Sequence, residues 1–272
     1  IHMAAQPLVR RSYAIPVETY QTNVMGTIHV LEALRAQEAP CAAVIVTTDK
    51  VYQNHESGRA YEETDPLGGH DPYSSSKAMT ELATSAYRDS YFRDHSVRIA
   101  TARAGNVIGG GDWAADRIVP DAMRALEAGS AVPVRNPRSV RPWQHVLEPL
   151  GGYLLLAAQL ASDPSVASAF NFGPGPEANR SVRDLADEIL KHRKGTWEEA
   201  GDPGAPHEAT LLNLSIEKAA KALGWVPHWD FSATVEKTVS WYRDVHTGTT
   251  TPTEATCLQI REYTSKLSLH KS

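Results

Sequence analysis

Two runs stand out against the hydropathy pattern of this chain: Ala42 to Thr47 (AAVIVT) and Val97 to Ala102 (VRIATA) are apolar or small almost throughout. Short runs without alternation fit strands buried on both faces, as a parallel sheet requires. Around them the period is helical. Pro16 opens a helix to about Gln37, with Val24, Ile28, Leu31 and Leu34 on one stripe. Asn23 and Thr27 lie near that stripe, and Thr27 is expected on the helix surface. Asp71-Pro72 is a turn signal ahead of a helix from Ser74 to Ser90. Strand, helix and strand in this alternation predict the α/β class, with ligands bound outside the carboxyl ends of the strands.

From Asp116 the texture changes. Helices over 117–128, 145–161, 181–193, 215–223 and 232–245 alternate with short strands at Val132–Val134, Ala169–Phe172 and near Leu211. This divides the chain into a sheet domain over 1–115, a smaller mixed region over 116–248 partly woven into the sheet, and a tail over 249–272. The tail begins TGTTTPTEAT, low in apolar residues, and is expected to be loosely ordered. Residues Gln53 to Asp71, polar and rich in Gly and Pro, read as a surface loop.

Composition narrows the function classes. At 272 residues and 42% hydrophobic the chain can bury a sizeable core, and a net charge of -5 gives no reason to expect nucleic acid or an anionic membrane as partner. The most apolar stretch, Pro149 to Ala161, is too short to span a bilayer, and no secretory leader opens the chain. Cys41 and Cys257 lie far apart, with no C-x-x-C and no metal-ligand spacing, so reduced thiols in a cytoplasmic protein and no metal are expected.

The candidate chemistry gathers at the predicted strand ends. Tyr73 and Lys77 are four apart on one helix, so the ammonium can favour the ionised phenol. Bringing a phenol from a pKa of about 10 to near 7 takes about 4 kcal/mol of differential stabilisation and makes a general base. Thr48, Asp49 and Lys50 close the first strand, supplying a hydroxyl, an acid and a base beside that helix. Arg135, Arg138 and Arg141, close together in an acidic chain, suggest a phosphate clamp. The small residues of Ala4-Ala5-Gln6-Pro7 suit close approach of a flat ligand. Gly109 to Gly111 follow a later strand and read as a loop; no G-x-G-x-x-G phosphate fingerprint occurs.

These motifs together resemble the extended short-chain dehydrogenase/reductases acting on nucleotide sugars. The resemblance runs from HMAAQP through TTDKVY, YSSSK, RAGNVIGGGDW, RIVPD and RPWQHV to LGWVP. Within that family the chain most resembles the 4,6-dehydratases of CDP-glucose, because Lys50 follows Asp49 where the dTDP-glucose enzymes carry Glu. The resemblance implies a Rossmann-type parallel sheet, NAD as cofactor and CDP-glucose as substrate. Tyr73, supported by Lys77 and hydrogen-bonded through Thr48, would act at C4 of the sugar, Lys50 as base at C5 and Asp49 as acid at C6. Ala4, Ala5, Gln6, Asn23, Tyr73 and Lys77 would line the cofactor, and Asn106, Arg117, Arg135, Arg141 and His207 the nucleotide sugar. The helices over 16–37 and 74–90 would form a homodimer interface.

The same resemblance implies a truncated sheet. Members of the family open with a strand, a glycine turn and a helix that hold the cofactor pyrophosphate, about 60 to 80 residues by the size of βαβ units, so an exposed sheet edge, weak NAD+ binding and little turnover are expected of these 272 residues. A 4-epimerase shares Tyr73 and Lys77 but usually lacks the acid and base of Thr48-Asp49-Lys50. A non-catalytic fragment that binds nucleotide sugar or a partner subunit is the alternative from another class.

Overall fold

The computed structural model describes residues 1–56, 58–201 and 212–269. In chain order it contains α1 (Val9–Ala14), α2 (Pro16–Tyr20), a π-helical turn (Gln21–Met25), α3 (Gly26–Arg35), β1 (Cys41–Val46), a 3-10 turn (Asp49–Val51), β2 (Ala60–Tyr61), α4 (Pro72–Tyr91), β3 (Val97–Ala104), β4 (Val107–Ile108) and α5 (Ile118–Glu127). There follow β5 (Val132–Val134), β6 (Val140–Pro142), β7 (Gln144–His145), α6 (Leu147–Ser162), β8 (Ala169–Phe172), β9 (Asn179–Ser181) and α7 (Val182–His192). The last elements are β10 (Trp197–Glu199), β11 (Asn213–Leu214), α8 (Glu217–Leu223), α9 (Phe231–His246) and α10 (Pro252–Leu269). Two compact units result: Ile1–Gly105, Pro149–Gly173 and Leu212–Val226 in the first, and Asn106–Glu148, Pro174–Leu211 and Pro227–Ser272 in the second.

The first unit is built on a parallel sheet of order β1-β3-β8, with Cys41 to Val46 in register with Val97 to Ala102. Its strands are mostly apolar because both faces are covered, and the polar Thr101, Arg103 and Asn171 within them are buried. Val44, Ala100 and Ala102 pack with Leu156, Leu160, Phe170, Phe172 and Trp225, while Ile45, Val97 and Ile99 on the opposite face meet Leu31 and Phe92. Successive strand residues point to opposite faces, and both faces are buried. The far side of β1 is met by the amino-terminal segment, where His2 N donates to Val44 O at 2.8 Å and Val46 N to His2 O at 3.0 Å.

The helix expected over 16–37 is interrupted. The π-helical turn Gln21–Met25 separates α2 from α3, and it carries Asn23, whose amide is spent on tertiary bonds described below. Such turns insert an extra residue and re-aim the side chains that follow. Thr27 is buried rather than on the surface: its hydroxyl donates to Asn23 O at 2.7 Å and lies 3.2 Å from His2 Nε2. The expected loop over Gln53–Asp71 holds β2, which pairs in parallel with β11, and Tyr61 of β2 stacks on Tyr52 with ring centroids 5.1 Å apart.

The second unit has its own core, in which Val119, Met123 and Leu126 of α5 meet Leu185 and Ile189 of α7 and Val235, Val239 and Tyr242 of α9. Gly110 lies flat on Trp241, where an added Cβ would come within 2.1 Å of the indole. Within the tail, residues Pro252–Leu269 form α10, where composition suggested loose order. Thr251 and Glu254 form a capping box, with Thr251 N on Glu254 Oε2 at 3.0 Å and Glu254 N on Thr251 Oγ1 at 3.2 Å. Ala255 and Tyr263 of α10 are buried, and the Tyr263 hydroxyl donates to Glu148 Oε2 at 2.9 Å. Glu148 also accepts from His228 N and Trp229 N; burial raises its pKa and these donors oppose the rise. Among the described residues no helix is long and apolar enough to cross a membrane.

Candidate active site

The first unit brings together Thr48, Asp49, Lys50, Tyr73, Lys77, Gln6 and Asn23. Helix α4 starts where the sequence signals it, with the Asp71 carboxylate accepting from Ser74 N at 2.9 Å and Pro72 in the first turn. Tyr73 N donates to Ser12 Oγ at 3.1 Å, and Tyr73 is buried. One turn on, Lys77 is also buried, and its ammonium donates to Val46 O at 3.0 Å. Burial lowers the Lys77 pKa to about 8, with the Glu81 carboxylate opposing the fall.

The turn after β1 leaves the sheet at once. Thr48 caps it, accepting from Lys50 N at 3.4 Å and donating to Asp49 Oδ1 at 3.0 Å. Both of these bonds lie within the turn itself. Asp49 is buried at 3% exposure, and Lys50 is partly exposed. Gly105, just past β3, lies against Asp49 so closely that a Cβ there would come within 2.4 Å of Oδ2. This close approach requires glycine. Tyr153, buried on α6, has its pKa raised by burial first and then by Tyr73 and Asp49, so its phenol lies in the field of both groups.

Asn23 joins the amino-terminal loop to α4. Its Oδ1 accepts from Gln6 N at 2.7 Å, and its Nδ2 donates to Gln6 O at 3.1 Å and Ser76 Oγ at 2.9 Å. Gln6 is buried, Ala5 partly buried and Ala4 exposed. The Lys77 ammonium has three donors and, among the described residues, one hydrogen-bond partner. Two N–H groups of a buried cation thus remain for hydroxyls of a bound molecule, and the nicotinamide ribose of NAD supplies such hydroxyls. The residues present fit that end of the cofactor.

Asn106, Arg117, Arg135 and Arg141 belong to the second unit. Asn106 O accepts from Gln144 N at 3.2 Å. Arg117 Nη1 lies 2.8 Å from Asp112 Oδ2, and Arg135 pairs with Asp116 at 2.8 Å and Asp121 at 2.7 Å. Arg138 is exposed, and Arg141 on β6 donates from Nη1 to Val140 O at 3.0 Å. Of the three Arg that suggested a clamp, Arg135 is the one paired with two carboxylates. His207 lies outside the described residues.

The family model described as GDP-mannose 4,6 dehydratase matches residues 1–238. The chain belongs to that family. Within it, a CDP-glucose 4,6-dehydratase of Salmonella typhimurium is 47% identical over 250 residues, 89% of this chain and 69% of the relative. A dTDP-glucose 4,6-dehydratase of Streptomyces antibioticus is 33% identical over 248 residues, 90% of this chain and 70% of the relative. Among solved structures, a dTDP-glucose 4,6-dehydratase of Streptomyces venezuelae with NAD bound superimposes with a TM-score of 0.76 at 26% identity, covering 89% of this chain and 72% of that one. A UDP-glucuronic acid 4-epimerase of Bacillus cereus reaches a TM-score of 0.78 at 18% identity, covering 90% and 75%, a likeness of fold. The parallel sheet is thus that of the GDP-mannose 4,6 dehydratase family.

Sequence reasoning missed Glu81, Arg103, Ser12 and Tyr153. Glu81 carried a signal, since it repeats the spacing of Tyr73 and Lys77 along α4. The other three reach the site through tertiary packing and carried none.

Proposed function

We propose that this protein dehydrates CDP-glucose to CDP-4-keto-6-deoxyglucose with NAD as cofactor, a step of deoxysugar biosynthesis. The observation that carries the reading is the pairing of a buried acid and a lysine on the turn after β1 with Tyr73 and a buried lysine on α4. A 4-epimerase needs only the second pair. The 47% identity to a CDP-glucose 4,6-dehydratase, which exceeds that to the dTDP-glucose relative, supports CDP as the nucleotide.

When bound, NAD+ supplies the oxidant for C4 and returns the hydride to C6. Tyr73 takes the proton of the C4 hydroxyl, and the Lys77 ammonium stabilises the phenolate that does so. A ketone at C4 acidifies the C5 proton, which Lys50 removes. Asp49, shielded from water against Gly105, delivers a proton to the departing C6 hydroxyl, which leaves as water. Lys77 would also hold the nicotinamide ribose, with Ala4, Ala5, Gln6 and Asn23 lining the cofactor beside it. Asn106, Arg117, Arg135, Arg141 and His207 are assigned to the nucleotide sugar, Arg117 and Arg135 exchanging carboxylate partners for phosphate oxygens.

Exposed apolar side chains on α2, the π-helical turn and α4, namely Val17 at 68%, Met25 at 43%, Met79 at 45% and Leu82 at 58%, support a homodimer through these helices. Two free, widely separated cysteines suit the cytoplasm. The test is incubation of the protein, in its full natural length, with NAD+ and CDP-glucose or dTDP-glucose. The 4-keto-6-deoxy product is read by mass and by its absorbance in alkali.

A further inference from the structure

Glu81 stands one helical turn beyond Lys77 and two beyond Tyr73, so all three share one face of α4. Its carboxylate is saturated. Oε1 accepts from the Thr47 hydroxyl at 2.5 Å, and Oε2 accepts from the Thr101 hydroxyl at 2.8 Å and from Arg103 Nη2 at 2.8 Å. The ion pair is fully interior, with side-chain exposures of 3% for Glu81 and 4% for Arg103. Arg103 Nη1 donates to the Tyr52 hydroxyl at 2.8 Å and to Glu63 O at 3.2 Å. Burial pushes the Tyr52 phenol up to about 12, so it stays neutral and its hydroxyl donates to Asn171 Oδ1 at 2.6 Å.

Thr47 directly precedes, and Tyr52 directly follows, the segment that carries Thr48, Asp49 and Lys50. One buried ion pair therefore grips that segment on both sides, from the helix that carries Tyr73 and Lys77.

We propose that Glu81 and Arg103 are positioning residues for the dehydration, holding the elimination pair Asp49 and Lys50 in register with the oxidation pair Tyr73 and Lys77. The naming of the two pairs rests on the dehydratase reading; the grip itself is a property of this chain. Stability alone gives no reason for charge at this place, since apolar residues of similar volume often serve as well or better than a buried ion pair. A carboxylate receiving three donors, from Thr47 just past β1 and from Thr101 and Arg103 on β3, fixes direction as well as distance, which apolar packing does not. Glu81 also reaches Lys77 electrostatically. Lys77 interacts with Glu81 on its own helix and with His2 on the amino-terminal segment, and the turn that carries Asp49 and Lys50 packs against α4.

The test compares the parent with Glu81→Gln, Arg103→Met and the double variant. Lys77 is titrated by nuclear magnetic resonance of isotopically labelled lysines, assigned by its loss in Lys77→Arg, which needs no substrate. Glu81→Gln should move the Lys77 midpoint down by about one pH unit or more. Melting temperatures should fall in each single variant and return in the double, where no unpaired charge is left buried, while turnover of the double stays about tenfold or more below the parent. An unmoved Lys77 midpoint in Glu81→Gln, or a double variant whose turnover recovers with its melting temperature, overturns the proposal. A parent without turnover on CDP-glucose removes the dehydratase reading, and the Lys77 titration then decides for or against the pair by itself.

Discussion

The Lys77 ammonium donates to the carbonyl of Val46, the last residue of β1, at 3.0 Å. A single bond thus ties the helix of the candidate base to the strand that leads into the candidate acid. It also fixes a cation where burial holds its pKa down to about 8.

That shift sets a stability prediction. The folded-state pKa of Lys77 lies below its unfolded value of 10.5, so the unfolded chain binds the extra proton between the two. The penalty is full below pH 8 and is relieved as pH rises toward 10.5. Lys77→Met should therefore raise stability at pH 7 by up to about 3 kcal/mol and flatten its pH dependence between 8 and 10.5. Urea unfolding of both proteins across that range checks the sign; a Met variant less stable at pH 7 contradicts it.

Tyr73→Phe should lower turnover about a hundred- to ten-thousandfold, the usual worth of a positioned base. The Ser12 bond to the Tyr73 backbone survives the change, so the melting temperature should hardly move. Steady-state kinetics beside a thermal melt separate chemistry from folding.

Lys50→Met should abolish exchange of the C5 hydrogen of the substrate with deuterated solvent, because the base that removes it is gone. Asp49→Asn should retain that exchange while loss of water falls about a hundredfold. Mass spectrometry of the recovered sugar reads both, and the opposite pattern would reverse the two roles.

Arg117→Ala should raise KM for CDP-glucose about tenfold and leave kcat within about twofold, the mark of binding shared by ground and transition states. Its partner Asp112 now holds the guanidinium at 2.8 Å. A fall in kcat at unchanged KM would move Arg117 from phosphate binding to the chemistry.

Leu82→Glu combined with Val17→Glu should shift sedimentation from dimer to monomer, since both side chains are more than half exposed on helices that pack together. Unchanged sedimentation as a dimer would place the interface elsewhere.

Much of the fold was legible because local and tertiary requirements agree. β1 and most of β3 are apolar as two covered faces demand, and α4 starts at Pro72, two residues before the Ser74 that the turn signal at Asp71-Pro72 suggested. The π-helical turn at Asn23 escaped because a period of 3.6 tolerates one extra residue without losing its stripe. α10 escaped because mean hydropathy outweighed the cap: Thr251 and Glu254 were in view, but the helix buries little besides Ala255 and Tyr263. In the site, Tyr73, Lys77, Asp49 and Lys50 were readable from local spacing. Arg103, 22 residues from Glu81, was not, because only the sheet makes them neighbours. Arg135 was read for its charge, and its commitment to Asp116 and Asp121 depends on loop geometry that spacing does not encode.

The proposed dehydration has Tyr73 and Lys77 working with Asp49 and Lys50 on one nucleotide sugar. Incubation with CDP-glucose and NAD+, followed by mass spectrometry, tests it most directly. Loss of one water from CDP-glucose is expected, faster than from dTDP-glucose and abolished in Tyr73→Phe. A product of unchanged mass with inverted C4, or no reaction with either sugar, would contradict it.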